Sequence, residues 1–521
     1  MPVTRGHRTS DRFPLSWRGV APHPQHRGFA FAVTACACVA VTGLVWPVAL
    51  ERAALGSIAF VLRWLDWFYL GTVGAFVVLS FWLALGRHGK RTLGDDPPEF
   101  SRFGWWAMLF AAGMGSGLMF WGVAEPITHY ASPPVAEPQT SAAARHALVL
   151  SDFHWGLHAW AIYCIAALVL AWFKFRHGAE YVPGAPLRIA FRGRWVEPVA
   201  RASDVVGLLA VAFGVAGAMG MGVLQMSSGL AIVLDRPLAP SIAYAVLLAL
   251  ACAYMASALG PIERGIQWLS SINVVLAVIF VGTLFVVGPT GVIVRELGAS
   301  SVDYVVELFA LTFLLEPWDD LGVWLHEWTL GYMIWWIAWA PFVGVFVARI
   351  SRGRSIREFV AGVVFVPSIV SLVWFAVLGC TAIDLERSGT DLASLVGTDI
   401  TRVLFVVLGA LPAASVMSWL ALVLVFVFLV TSVDSATYVL GMITSGGASK
   451  PPQSHKIAWG ITMAVVAAAL VASRHVGVIK AVAILGAIPF TLVLLLQTVA
   501  FLRVLAREPS VTAEPRTRPR P

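Results

Sequence analysis

Long apolar runs alternate along the chain with short polar connections, and that alternation sets the first expectation. The runs lie at about 28–50, 65–86, 104–130, 147–174, 204–233, 239–260, 266–288, 327–349, 358–382, 413–446, 457–474 and 478–503. Most are close to or above the roughly 20 residues that carry a helix across a bilayer. The pattern predicts an all-α polytopic membrane protein with twelve transmembrane helices. Two connections, 289–326 and 383–412, are long enough to hold structure of their own. The first is acidic, with Glu296, Asp303, Glu307, Glu316, Asp319 and Asp320, yet it contains the periodic apolar stretch VVELFALTFLLEPW. That combination predicts an extracellular amphipathic helix lying along the membrane surface. Residues 1–27 carry Arg5, Arg8, Arg12, Arg18 and Arg27 among prolines and histidines, with no cleavable apolar leader, and read as a disordered cytoplasmic tail.

Charge refines the topology. Hydrophobic residues make up 59% of 521 positions and charged ones 12%, with a formal net charge of +7. With the amino terminus inside, 27 of the 36 lysines and arginines fall on cytoplasmic segments, so both termini are expected in the cytoplasm of a multi-pass plasma-membrane protein. The positive charge follows the membrane, and no nucleic-acid partner is expected. Cys36, Cys38, Cys164, Cys252 and Cys380 lack metal-type spacing and suggest neither a disulfide framework nor a zinc site. An enzyme would need a nucleophile–base pair or a metal set, and neither is visible. A channel would need a continuous polar stripe, whereas the polar features gather near mid-membrane. A carrier is the remaining class.

Three stretches break the helical pattern. In WTLGYMIWWIAWAPF, Trp328 to Phe342, the residues Tyr332, Trp335, Trp336, Trp339 and Phe342 recur every three or four positions and share one side of a helix. Such a wall serves as an interfacial belt, as helix packing, or as a face for a soft cation held by ring quadrupoles. In run 104–130, Ala111-Ala112-Gly113-Met114-Gly115-Ser116-Gly117 places three alternating glycines mid-membrane. They permit close helix packing, or they mark an unwound segment whose carbonyls face a cation and whose amides face an anion, the reading favoured here. In run 147–174, His154 to Tyr163 reads HWGLHAWAIY; taken as one helix, it puts Trp155, Trp160 and Tyr163 on one half. No acid sits at ligand spacing on that helix, so structural hydrogen bonding is expected for His154 and His158 rather than a metal site or proton relay. Run 204–233 is glycine-rich at Phe213 to Gly222, and run 413–446 holds Thr431, Ser432 and the intramembrane Asp434.

These motifs together, GMGSGLMFWGVAEP at Gly113 to Pro126, HWGLHAWAIY, the tryptophan run followed by ARISRGRSIREF at Ala348 to Phe359, and TSVDS at Thr431 to Ser435, resemble the betaine/carnitine/choline transporter family. The resemblance covers about 28–505. It implies the five-plus-five inverted repeat of the LeuT type with two extra N-terminal helices, often in trimers. The implied divisions are a basic tail (1–27), two peripheral helices (28–103), a first repeat (104–288), an extracellular connection (289–326), a second repeat (327–503) and a short tail (504–521).

By the same resemblance, the solute is a small onium compound whose trimethylammonium head sits among Trp155, Trp160, Tyr163 and Trp336, with Trp339 on its pathway. The carboxylate is expected near the amides of Gly113, Gly115 and Gly117. Sodium, the expected coupling ion in place of any cofactor, would be held by carbonyls of Ala111, Met114 and Phe428 and by the hydroxyls of Thr431 and Ser432. The implied activity is sodium-coupled import of a glycine betaine-like solute. The competing readings are proton-coupled or potential-driven choline uptake and a carnitine-type exchanger. Met333 departs from a tryptophan common in relatives, and Val211 and Val215 replace threonines of a second sodium site.

Overall fold

A computed structural model describes residues 24–508 except Met114, 260–261 and 314–320, without side chains at 24–27, 110–113, 262–271 and 321. Its helices, in order, are α1 (Pro24–Val45), α2 (Pro47–Leu85), α3 (Arg102–Gly113), α4 (Ser116–Ala131), α5 (Ser141–Trp155), α6 (Leu157–His177), α7 (Ala185–Ala190), α8 (Val196–Val233), α9 (Pro240–Leu259) and α10 (Ile262–Val287). They continue as α11 (Thr290–Thr312), α12 (Leu321–Leu325), a π-turn (His326–Leu330), α13 (Gly331–Ile350), α14 (Ile356–Val360), a second π-turn (Ala361–Phe365), α15 (Val366–Leu385), α16 (Leu392–Thr398), α17 (Val403–Gly409), α18 (Ala414–Thr444), α19 (Gln453–Ser473) and α20 (Val476–Arg507). Among the described residues there is no strand, only an isolated bridge between Thr92 and Ser355.

Among the described residues, ten helices are long and apolar enough to cross a bilayer, or eleven if the pair Ile272–Val287 and Thr290–Thr312, bent by 111°, is one span. Two of the twelve apolar runs, 104–130 and 266–288, are not among the ten. Run 104–130 is divided into α3 and α4, of 12 and 16 residues, each shorter than a crossing. Run 266–288 lies in α10, of 26 residues, whose side chains are described only from 272 on; the helix ends before Gly288-Pro289, where proline disfavours a helical residue before it and the chain turns sharply into α11. The boundary of the first run also moves. Trp46 leaves the helical region (φ −133°, ψ 63°) and Pro47 opens α2, so the break falls before residue 50.

Helix α8 is the structural axis, packing against α13, α18, α19 and α20. Its glycines explain why it can. A Cβ on Gly222 would stand 2.5 Å from Leu429, one on Gly217 would stand 2.9 Å from Ala483, and one on Gly214 would stand 3.0 Å from Ala338. Backbones therefore approach more closely than larger residues allow, the usual device where lipid supplies no hydrophobic drive between helices. Helix α11 lies across the bundle, tied to α5 by Arg145, which contacts Glu296 at 2.7 Å and Asp303 at 3.4 Å. Its Val302, Val305, Val306 and Phe309 remain exposed.

The basic loop at Arg349–Glu358 does more than carry charge. Arg354 is buried, lies 4.5 Å over the Trp105 ring and donates to the Phe100 carbonyl at 2.6 Å. Backbone bonds from Leu93 to Arg354 and from Gly353 back to Leu93 lock this loop to the α2–α3 connection.

Candidate functional site

Two helix breaks flank the contact between α4 and α5. Gly115 caps α4 with φ −133° and ψ −139°, outside the helical region. A Cβ on Gly117 would meet Trp155 Cη2 at 2.9 Å, so the missing side chain is what lets that indole lie against the start of α4. The second break is at Gly156 (φ −94°, ψ −131°), between α5 and α6. A break orphans backbone groups on both sides. Here two aromatic side chains satisfy them: Trp336 Nε1 donates to the His154 carbonyl at 2.8 Å, and the Tyr304 hydroxyl accepts from the Leu157 amide at 2.9 Å. The break also corrects the single-helix geometry assumed for Trp155, Trp160 and Tyr163. Trp155 ends one helix and the other two belong to the next.

The rings form a continuous cluster. Trp155 and Trp336 meet edge to face at 4.8 Å, Trp155 and Tyr332 at 5.6 Å, while Tyr332 stacks on Trp336 at 6.3 Å. Tyr163 reaches Trp336 at 6.0 Å and Trp160 reaches Tyr163 at 5.5 Å. Such contacts are the normal geometry of aromatic packing. Enclosed between them is a cavity of about 40 Å³, lined by Gly115, Ser116, Gly117, Phe120 and Trp121 of the α4 region, Trp155 of α5, Ala218, Met221 and Gly222 of α8, and Tyr332, Trp335, Trp336 and Trp339 of α13. Among the residues expected from sequence, Gly115, Gly117, Trp155, Trp336 and Trp339 line it. Trp160 and Tyr163 stand behind Trp336. Gly113 ends α3 with no side chain to describe. Phe120, Trp121 and Trp335 were not singled out as box residues; their signal was the aromatic flank of the glycine motif and the same tryptophan run.

A polar network anchors this wall. Glu125, fully buried, accepts from Trp155 Nε1 at 2.8 Å and pairs with His154 Nδ1 at 2.6 Å, while His154 Nε2 contacts Thr329 at 3.0 Å. His129 Nε2 lies 3.6 Å from the same carboxylate. A buried carboxylate is tolerable when hydrogen-bonded in this way. His158 bonds Thr312 at 2.9 Å, and the intramembrane Asp434 accepts from Ser257 of α9. The acidic partner absent from the sequence of α5–α6 thus arrives from α4.

Beside the α4 cap, Ser432 Oγ lies 3.6 Å from where a Gly115 Cβ would be, with Phe428 next to it. Thr431 Oγ1 donates to the Val427 and Phe428 carbonyls, both at 3.0 Å, as hydroxyls in apolar helices commonly do. Of the other expected sodium ligands, Ala111 lies in α3 with its side chain outside the described residues, and Met114 lies outside them entirely. A larger cleft of about 1270 Å³ lies between α1, the end of α6, α7 and α8. Its charged lining is internally paired, Arg188 with Glu197 and Asp204, and it has no comparable ring cluster. The ring cluster is at the small cavity.

The profile of the betaine/carnitine/choline family of transporters (BCCT) matches residues 28–510. The chain belongs to that family. It is 39% identical over 484 residues to a glycine betaine transporter of Bacillus subtilis, covering 92% of this chain and 94% of that protein. It is 38% identical over 448 residues to an ectoine/hydroxyectoine transporter of Virgibacillus pantothenticus, covering 85% and 88%. A glycine betaine/proline/choline transporter of Vibrio parahaemolyticus is 32% identical over 508 residues, covering 94% and 91%. As a family member with these apolar helices, the chain is a multi-pass membrane transporter of a small solute, and its relatives are not enzymes.

Proposed function

We propose that this transporter imports a quaternary-ammonium or related onium solute of the glycine betaine class across the cell membrane, driven by sodium, through alternating access. The observation that carries the reading is the convergence of an indole and phenol cluster with the Gly115 helix break on one cavity, Trp155 entering it from just before the Gly156 break. Rings hold a soft cation, and each desolvated contact contributes about 0.5–2 kcal/mol. The amides at the start of α4 suit the solute carboxylate, because a helix N-terminus carries partial positive charge. In this reading Trp155, Trp336, Tyr163 and Trp160 make the head-group site, Trp339 lies on the pathway, and Gly113, Gly115 and Gly117 receive the carboxylate. Sodium binds among Ala111, Met114, Phe428, Thr431 and Ser432.

The cavity of about 40 Å³ has room for no more than a few waters, so the rings must part to admit a solute. Motion of that kind fits a fold of twelve spans with LeuT-type repeats at 104–288 and 327–503, two peripheral helices at 28–103 and an extracellular connection at 289–326. Both termini lie in the cytoplasm and the protein assembles as a homotrimer. The test uses proteoliposomes with labelled glycine betaine and unlabelled betaine, carnitine, choline, ectoine and dimethylsulfoniopropionate as competitors, in sodium and in potassium media. Sodium-dependent uptake blocked by the zwitterionic oniums is expected. Equal uptake in both media would end the sodium assignment, and failure of every onium to compete would end the substrate assignment.

A further inference from the structure

One cation already sits on the aromatic wall. The Lys480 ammonium, near the start of α20, stands 4.7 Å from the ring centroid of Tyr332, 5.1 Å from Trp328 and 5.5 Å from Trp121. It donates to the Glu327 carbonyl at 2.6 Å. Glu327 belongs to the π-turn His326–Leu330, a rare local geometry that recurs at functional sites. A Cβ on Gly331 would meet Lys480 Cε at 3.0 Å and Nζ at 3.2 Å, so glycine there leaves the passage the lysine stem uses. The rings also brace one another: Trp121 meets Trp328 edge-on at 5.8 Å and Tyr332 at 5.7 Å. A lysine this close to a helix N-terminus is disfavoured by the helix dipole. Three rings and a carbonyl hold it there.

Trp121 and Tyr332 are shared walls, since both also line the solute cavity. We infer that Lys480 is the resident cation of a second aromatic cage, on the far side of the wall from the cavity, and that its fixed charge selects zwitterionic over singly cationic oniums. This rests on the onium-import reading and deepens it. A unit charge one ring away, about 10 Å, at an effective dielectric of about 20, changes the affinity for a net charge by roughly tenfold. A zwitterion largely escapes the penalty because its carboxylate, held at the α4 amides, brings its net charge to zero. A monocation such as choline bears it in full. Among the described residues, the acids whose fields reach Lys480 are Glu125 and Glu327. Removing the lysine takes away a positive charge that offsets both, which shifts a monocation in the same direction.

The experiment compares wild type with Lys480→Met, Lys480→Gln and Lys480→Arg in proteoliposomes. Choline and tetramethylammonium compete against labelled glycine betaine, with unlabelled glycine betaine as reference. In the Met and Gln variants the ratio of choline to betaine inhibition constants is expected to fall by roughly 3- to 30-fold, with the same direction for tetramethylammonium. The Arg variant keeps the charge and is expected to keep the wild-type ratio. Gln retains a donor for Glu327, so it separates charge from the lost hydrogen bond. An unchanged ratio in both neutral variants overturns the inference, as does an equal weakening of all three ligands. A wild-type protein that takes no onium compound sinks the import reading instead, so the two failures are distinguishable.

Discussion

Trp336 serves the site in two ways that can be separated. Its ring faces Trp155, Tyr332 and Tyr163, and its Nε1–H satisfies the His154 carbonyl orphaned by the Gly156 break. Trp336→Leu removes both, while Trp336→Phe keeps an aromatic face and loses the hydrogen bond. We predict that Leu weakens onium binding by roughly 2- to 30-fold, from a ring contribution of about 0.5–2 kcal/mol. Phe should retain most of the affinity and lower the unfolding free energy by about 1 kcal/mol, the net worth of one hydrogen bond. Equilibrium binding of labelled betaine, read beside a detergent melting curve, checks the pair. Equal affinity for all three proteins would remove Trp336 from the head-group site.

Helix breaks carry the next level of organisation. The Gly156 break turns the chain so that Trp155 closes α5 against α4, while Trp160 and Tyr163 continue on α6 behind Trp336. A Cβ at Gly156 would stand 2.4 Å from the Asp152 carbonyl and 2.7 Å from the Tyr304 hydroxyl. The first contact is backbone and cannot swing aside. Gly156→Ala is therefore predicted to destabilise the protein by about 2–4 kcal/mol or to push Tyr304 off the Leu157 amide, in line with other severe backbone and packing lesions. A melting temperature within a degree of wild type, with uptake intact, would show that the break tolerates a side chain. Gly178, by contrast, has φ 67° and open space around it, so its requirement is conformational rather than steric.

Over the whole molecule, coupling depends on how many ions the bundle can hold. Val211 and Val215 on α8 are both buried and offer no oxygen where two hydroxyls would otherwise serve a second sodium ion. A dehydrated cation short of ligands in an apolar interior is too costly to retain. We predict one sodium per zwitterion, hence one charge per solute and about 2.3 kcal/mol of drive per 100 mV. A reversal-potential measurement in proteoliposomes checks it: a charge-to-solute ratio near one is expected, and a ratio near two would mean that other groups complete the second site.

The apolar runs, the arginine-rich connections and the order of the glycine and tryptophan motifs were legible in the sequence, because each depends on neighbours along the chain. Burial in lipid needs about 20 apolar residues in succession, and a shared helix face needs only a spacing of three and four. So the membrane class, the glycine break near residue 114 and the wall from Tyr332 to Trp339 could be read directly. The Gly156 break could not, since HWGLHAW fits a continuous helix and the Tyr304 hydroxyl that compensates the kink lies 148 positions away. Nor could the pairing of Glu125 with His154 and Trp155, which come from separate helices. The place of Lys480 could not be read either, because Trp121, Trp328 and Tyr332 come around its ammonium only on folding. Local periodicity fixes which residues share a helix face. Which faces meet, and therefore which rings, carboxylate and ammonium form a site, is decided only when helices distant in sequence pack.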